Sequence, residues 1–217
     1  LGSERRRCFV PREGWVFVDA DYSQIELRVL AHIAGDERMI QAFNNNEDIH
    51  AVTASQVFGV PLDQVSHEMR SRAKAVNFGI VYGISAFSLS EDIGVYPKQA
   101  QQYMDAYLEK YHGVREYMAG IKEKAKEDGY VTSSFGRRRW IPELKAANFN
   151  VRAFGERVAL NTPIQGTAAD IIKLAMIHVA DALEDEKLRS RLVLQVHDEL
   201  IVEVRQDQAS AAAEILK

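Results

Sequence analysis

Trp15-Val16-Phe17-Val18 is a short apolar run of β-forming residues that ends in acid, and behind it Ile25, Leu27, Val29, Leu30 and Ile33 recur at helical spacing. The pattern predicts strand, turn and helix, with Gly35 where the helix should stop. Ser23 and Glu26, three residues apart, have the form of a capping box, which alone would account for Glu26. Residues 36–68 read as short helices interrupted by Asn44-Asn45-Asn46 and Gly59-Val60-Pro61. The helical period returns from about residue 66 to 82, with Gly83 as terminator. Residues 97–129 are rich in helix formers, and Tyr103, Tyr107, Leu108, Tyr111, Val114 and Met118 mark a framework. Two short runs around Ser133-Ser134-Phe135-Gly136 predict a small hairpin carrying Arg137-Arg138-Arg139. Residues 150–160 and 167–183 read as two helices, broken where Pro163 and Gly166 interrupt the period. Near the end, Leu192-Val193-Leu194-Gln195-Val196 and Leu200-Ile201-Val202-Glu203-Val204 predict a tight hairpin with His197-Asp198-Glu199 at its tip.

A length of 217 residues, 47% of them hydrophobic, allows one large core or two lobes. A single cysteine, Cys8, excludes an internal disulfide framework, and no apolar stretch approaches the roughly 18 residues of a membrane helix. A reducing, cytoplasmic setting is expected, with no membrane partner. No signal-type leader opens the chain, but it starts at Leu1 without methionine, so an upstream part is expected to be missing. Its charge of −4, from 27 basic and 31 acidic residues, is not that of a free-standing nucleic-acid binder. Positive charge is local instead, in Arg5-Arg6-Arg7, in Arg70, Arg72 and Lys74, and in Arg137-Arg138-Arg139, where solvated charge is the plain alternative reading.

The chemistry-bearing pattern is a pair of acidic clusters, Asp19-Ala20-Asp21-Tyr22-Ser23-Gln24-Ile25-Glu26 and His197-Asp198-Glu199, with a basic helix between them in sequence. Carboxylates so far apart clamp divalent cations only if folding gathers them, and a cationic face is the natural receiver of a triphosphate. Residues four apart advance by about 400°, so Arg70, Lys74, Phe78 and Tyr82 share one drifting stripe, charged at one end and aromatic at the other. Such a stripe suits phosphate oxygens, ribose and base. Taken without the acidic clusters, it reads as an amphipathic helix with Phe78 and Tyr82 in the core. Arg157, Asn161 and Gln165, at and around the break near Pro163, read as polar groups projecting from one side.

Asp-Tyr-Ser-Gln-Ile-Glu-Leu-Arg from residue 21, Arg-x-x-x-Lys-x-x-x-Phe-Gly-x-x-Tyr-Gly from residue 70 and Val-His-Asp-Glu from residue 196 resemble motifs A, B and C of the family A DNA polymerases, in the right order and over nearly the whole chain. The resemblance implies that Asp21 and Asp198 ligate two Mg2+ ions with the Tyr22 carbonyl, with Glu199 as an accessory carboxylate. It implies that Arg70, Lys74 and His50 bind the incoming phosphates, and that Lys74 is a candidate proton donor to pyrophosphate. Glu26 resembles the family's steric gate against a ribose 2′-hydroxyl, with Gln24 beside it among the nucleotide-binding positions. Phe78 would lie against the sugar and Tyr82 near the template base. Arg157, Asn161, Gln165 and His197 would contact or shape the primer-template surface.

The implied fold is α+β: a palm with an antiparallel sheet (residues 1–38 and 147–217) and an inserted helical fingers subdomain (residues 39–146). Thumb and exonuclease domains are expected to lie outside these residues. The implied function is template-directed DNA synthesis, in replication and repair, by a catalytic-core fragment expected to be weak or inactive alone. Its expected partners are primer-template DNA and deoxynucleoside triphosphates, and its expected state is a monomer. The competing readings are a non-catalytic DNA-binding fragment, a single-subunit RNA polymerase and a two-metal phosphodiester hydrolase. The RNA polymerases carry a small residue where Glu26 stands, and a nuclease has little use for the Arg70/Lys74 stripe.

Overall fold

The computed structural model describes residues 7–217, so Arg5 and Arg6 of the first basic patch lie outside the described residues. In chain order the elements are β1 (Trp15–Asp21), α1 (Ile25–Ala34), α2 (Glu37–Asn44), α3 (Ile49–Phe58), α4 (His67–Tyr82), α5 (Ala86–Ile93), α6 (Pro97–Lys110) and α7 (His112–Asp128). There follow β2 (Tyr130–Thr132), β3 (Arg138–Trp140), α8 (Phe149–Asp185), β4 (Ser190–Val196), β5 (Glu199–Arg205) and α9 (Ala209–Ile215). Helix and antiparallel sheet are therefore mixed. Two compact units emerge, one of residues 1–23 with 169–217, the other of residues 24–168. Among the described residues no helix is long and apolar enough to cross a membrane.

The first unit is a three-stranded antiparallel sheet in the order β1-β5-β4. β5 is central because its apolar residues are the ones fully covered: Leu200, Val202 and Val204 are buried, and α9 packs on β1 and β5. Glu203 is the polar exception in that strand. It accepts three hydrogen bonds from Arg12, through the backbone amide, Nε and a terminal amine, while the Arg12 guanidinium lies 3.8 Å over the Trp15 ring. Those donors hold the Glu203 carboxyl below its usual range. The edge strand β4 slips register between Leu192 and Leu194, the kind of irregularity that bends an edge away from further pairing.

The second unit is helical apart from the β2–β3 hairpin. α3 packs along α4, α5 on α6, and α1 on α7, burying Leu27, Leu30, Met39, Ile49, Val76, Ile80 and Leu89. A second cluster joins Ala125 of α7, Val131 of β2, Ile141, Leu144 and Ala159 of α8. The hairpin turn is pinned to α8 by the Ser134 amide, which donates to Thr167 Oγ1 at 2.9 Å. α4 has the ends its sequence predicts. Ser66 caps the Met69 amide, and Gly83 leaves the helix in the left-handed region at φ 62, where a Cβ would stand 2.9 Å from the Leu160 side chain.

Two expectations fail. The helices expected at 150–160 and 167–183 are one helix, α8, running unbroken through Pro163. Proline there removes the amide that would bond the Ala159 carbonyl, at a cost of about 3 kcal/mol. Burial of Ala159, Leu160, Pro163, Ile164, Thr167 and Ala168 along the same stretch offsets that cost and keeps the helix continuous. The capping box is also displaced. Gln24, in the left-handed region at φ 59, holds the cap position of α1 without a side-chain cap, and its carbonyl accepts the Leu27 and Arg28 amides. Glu26 therefore sits one position too early to reach back, and its carboxylate turns to Tyr82 instead.

Candidate active site

In the first unit, antiparallel pairing does the work of bringing distant acids together. β1 ends at Asp21, β5 begins at Glu199, and those two residues are register partners. Partners in such a ladder have Cα atoms about 4.5–5.5 Å apart. Val196 and Glu199 close the β4–β5 hairpin, leaving His197 and Asp198 as its two-residue turn, with His197 at φ 54. The Tyr22 amide donates to the Asp198 carbonyl at 3.1 Å, so the pairing continues past the strand end and sets Asp21 and Tyr22 beside Asp198. The Gln195 side-chain amide donates to the His197 carbonyl and braces the turn from within. Asp21 and His197 are exposed, and Asp198 and Glu199 are half-buried.

This end of the sheet offers the carboxylates of Asp21, Asp198 and Glu199 and nearby backbone carbonyls, oxygen donors that suit a hard cation such as Mg2+. Among the described residues no set of three or more His, Cys, Asp or Glu side chains is gathered closely enough to hold a metal. Asp21, Asp198 and Glu199 therefore do not form a closed three-carboxylate cage. The residues fit a cation that takes two carboxylates and completes its shell with backbone, water and phosphate oxygens, as Mg2+ does at phosphoryl-transfer sites.

In the second unit the predicted stripe forms as a run of contacts along α4. Lys74 Nζ lies 6.0 Å from the Phe78 ring centroid, and Phe78 and Tyr82 stack with centroids 6.1 Å apart and planes 16° from parallel. Tyr82 donates its hydroxyl to Glu26 Oε2 at 2.9 Å. The His50 ring, from α3, sits 6.0 Å from Phe78. Arg70 reaches the same turn of α3 through Asp48, its Nε donating to Asp48 Oδ2 at 2.6 Å. Asp48 is also the α3 N-cap, its Oδ1 accepting from the His50 and Ala51 amides. Burial would raise the Asp48 carboxyl, but the Arg70 hydrogen bond, the two amides and the Arg70 charge together leave it below the usual range.

Arg70, Lys74, Phe78, Tyr82, His50 and Glu26 are thus brought together, with Gln24 two residues before Glu26 at the start of α1. Arg157, Asn161 and Gln165 share one face of α8. Asn161 Nδ2 donates to the Tyr82 carbonyl at 3.3 Å, and a Cβ at Gly83 would meet Arg157 Cγ at 3.6 Å, so the first two of these adjoin the end of α4. Gln165 is exposed, and among the described residues no hydrogen bond joins its side chain to the stripe.

Four residues of this neighbourhood are not among the site residues expected from the sequence: Asp48, Thr53, Asn77 and Tyr111, the last expected as framework only. His50 Nδ1 is 2.9 Å from Asn77 Nδ2, Thr53 Oγ1 donates to Asn77 Oδ1 at 3.2 Å, and Tyr111 OH stands 3.3 Å from Thr53 Oγ1. His50, Asn77, Thr53 and Tyr111 are all buried. Burial, reinforced by the Arg70 and Lys74 charges and opposed by Asp48, brings the His50 pKa down to about 4, so the ring is neutral near pH 7. Asp48 carried a readable signal as a helix-capping aspartate. Asn77 carried a weaker one, as an amide among Val76, Ile80 and Val81.

A family model described as DNA polymerase family A matches residues 1–217. The chain is 55% identical over 208 residues to DNA polymerase I of Bacillus subtilis, covering 95% of this chain and 24% of that protein. It is 51% identical over 212 residues to DNA polymerase I of Caldicellulosiruptor bescii, covering 98% of this chain and 25% of that protein. A solved structure, the POL domain of Pol1 from M. smegmatis in complex with DNA primer-template and dNTP, superposes with a TM-score of 0.91 at 45% identity, covering 96% of this chain and 37% of that one. The chain spans about a quarter of the length of these curated relatives.

Proposed function

This chain belongs to DNA polymerase family A, and from that premise we propose that it is a part of the catalytic core that extends a primer 3′-hydroxyl with deoxynucleotides under template direction, in the cytoplasm and as a monomer. The observation that carries the reading is the register of β1 on β5, which sets Asp21 opposite Glu199 with Asp198 in the adjoining turn. Asp21, Asp198 and the Tyr22 carbonyl are the groups to hold the two Mg2+ ions, and Glu199 is the accessory carboxylate. Metal held there supplies charge neutralisation on the phosphates and acidifies the primer hydroxyl.

The residues of the second unit bind and orient. Arg70 and Lys74 take the triphosphate with His50, and Lys74 Nζ is the proton donor to the departing pyrophosphate. Phe78 lies against the sugar. Glu26, held by the Tyr82 hydroxyl, fills the space of a ribose 2′-hydroxyl, with Gln24 beside it. Arg157, Gln165 and His197 face the primer-template, and Asn161 shapes that surface. The sheet-bearing unit is the palm, and the helices within 39–146 are the fingers. The chain spans about a quarter of the length of its curated relatives, and with a thumb expected outside these 217 residues, extension by this chain alone is expected to be weak or absent. A role limited to binding DNA fits poorly with a net charge of −4.

Nucleotide binding tests the reading directly. Titration of the chain with dATP and Mg2+ should give an affinity that falls roughly 10–100-fold in Arg70→Ala and in Lys74→Ala, as expected for a lost charge-assisted contact. Unchanged affinity in both variants would remove the stripe from the site.

A further inference from the structure

The hydrogen bonds behind His50 have a direction. Thr53 gives its one hydroxyl proton to Asn77 Oδ1, so the Tyr111 hydroxyl must be the donor in its contact with Thr53 Oγ1. Tyr111 is equipped for that, because burial and the nearby Asp36 and Glu47 push its pKa up to about 12 and keep the proton on it, against the Thr53 bond. With Oδ1 turned to Thr53, Asn77 presents its amide nitrogen to His50 Nδ1 at 2.9 Å. An amide nitrogen can only donate, so Nδ1 must offer its lone pair and the single proton of the neutral ring must reside on Nε2. Each donor in the series points towards the imidazole: Tyr111 to Thr53, Thr53 to Asn77, Asn77 to His50.

The orientation matters because phosphate oxygens only accept. A ring carrying its proton on Nδ1 would turn the Nε2 lone pair towards any phosphate on the Arg70/Lys74 face and repel it. His50 Nε2 has no hydrogen-bond partner among the described residues. The ring stands at the Phe78 end of that face, and Asp48 ties the His50 amide to the Arg70 side chain.

We propose that Asn77 is a positioning residue for the incoming triphosphate: through Nδ1 it holds His50 in the neutral tautomer whose Nε2–H donates one hydrogen bond to a phosphate oxygen, with Thr53 and Tyr111 fixing the Asn77 amide. This rests on the reading that the Arg70/Lys74 face takes the triphosphate.

The test has two arms. The first is nitrogen-15 NMR of the histidine ring at neutral pH in the 217-residue chain. The wild type should show His50 Nε2 protonated and Nδ1 bare. Asn77→Asp, which supplies only acceptors, should place a proton on Nδ1, and Thr53→Val, which frees the Asn77 amide to flip, should mix the two tautomers. The second arm is dATP affinity. It should fall about tenfold in Asn77→Asp, the value of one lost hydrogen bond. His50→Ala, which removes the ring that Asn77 orients, should lose about the same tenfold, and adding Asn77→Asp to it should cost nothing further. Thr53→Val serves should Asn77→Asp fail to fold. A wild-type ring protonated on Nδ1 would overturn the proposal, as would an Asn77→Asp loss that persists undiminished in His50→Ala. If Arg70→Ala also leaves dATP affinity unchanged, the triphosphate reading itself fails and the ligand assigned to His50 falls with it, whatever tautomer is seen.

Discussion

Gly83→Ala is the substitution whose cost follows most directly from the packing around the aromatic end of α4. Two effects add. The residue sits at φ 62, where an L side chain costs roughly 1–2 kcal/mol. Its Cβ would also stand 2.9 Å from Leu160 Cδ2 and 3.6 Å from Arg157 Cγ, well inside the ~3.5–4 Å of ordinary carbon contact for the first of these. Leu160 is only 1% exposed, so its methyl group has no open volume to enter, and overpacking of this kind costs about 1–3 kcal/mol. The sum is about 2–5 kcal/mol. Gly94→Ala is the control within the same unit: the backbone is equally left-handed at φ 65, but nothing lies within 4 Å of the added Cβ, so only the conformational part remains. Urea unfolding followed by circular dichroism should place the Gly83→Ala midpoint below that of Gly94→Ala by the equivalent of about 1–3 kcal/mol at unchanged slope. Equal midpoints would refute the close approach of α4 to α8, and with it the account of how Tyr82 and Arg157 are held near each other.

Tyr82→Phe keeps the ring stacked on Phe78 but removes the hydroxyl that fixes Glu26, so stability should fall by about 1 kcal/mol and the ratio of ribonucleotide to deoxynucleotide incorporation should rise in a polymerase carrying the substitution. An unchanged ratio would separate the anchored carboxylate from sugar selection. Acid should destabilise the wild type partly through His50, whose pKa is about 6.5 unfolded and about 4 folded. As pH falls below 6.5 the unfolded chain takes a proton that the folded chain refuses until about 4, so this contribution is whole above 6.5 and is lost across that window. Urea midpoints measured from pH 7.5 to 4.5 should therefore fall more steeply in wild type than in His50→Gln, and parallel curves would contradict the neutral buried ring.

The sequence was most readable where periodicity and punctuation agreed. β1, α1, α4 and the β4–β5 hairpin lie where apolar spacing and Gly35, Gly83 and the His197-Asp198 turn place them, because local propensity and tertiary packing ask for the same conformation there. It misled where packing overrode a local rule. Pro163 signals a break, but its neighbours are buried along one face and the helix continues. Ser23 and Glu26 spell a cap, but the left-handed Gln24 shifts the helix start and Glu26 bonds a residue 56 positions away. The acids of the site were legible as residue types, whereas their juxtaposition is a property of strand register that no local pattern encodes. The Tyr111–Thr53–Asn77–His50 series was illegible for the same reason, since it joins α3, α4 and the junction between α6 and α7 through side chains that look unremarkable in sequence.

Primer extension is the measurement closest to the central claim that Asp21 and Asp198 act together on a metal-held triphosphate. Joined to the polymerase segments that precede it in a relative, and supplied with Mg2+ and four deoxynucleotides, the chain should extend a primed template, and Asp21→Ala and Asp198→Ala should each lower the rate by at least roughly a thousandfold with folding intact. Extension by either variant at close to the parent rate would contradict the account.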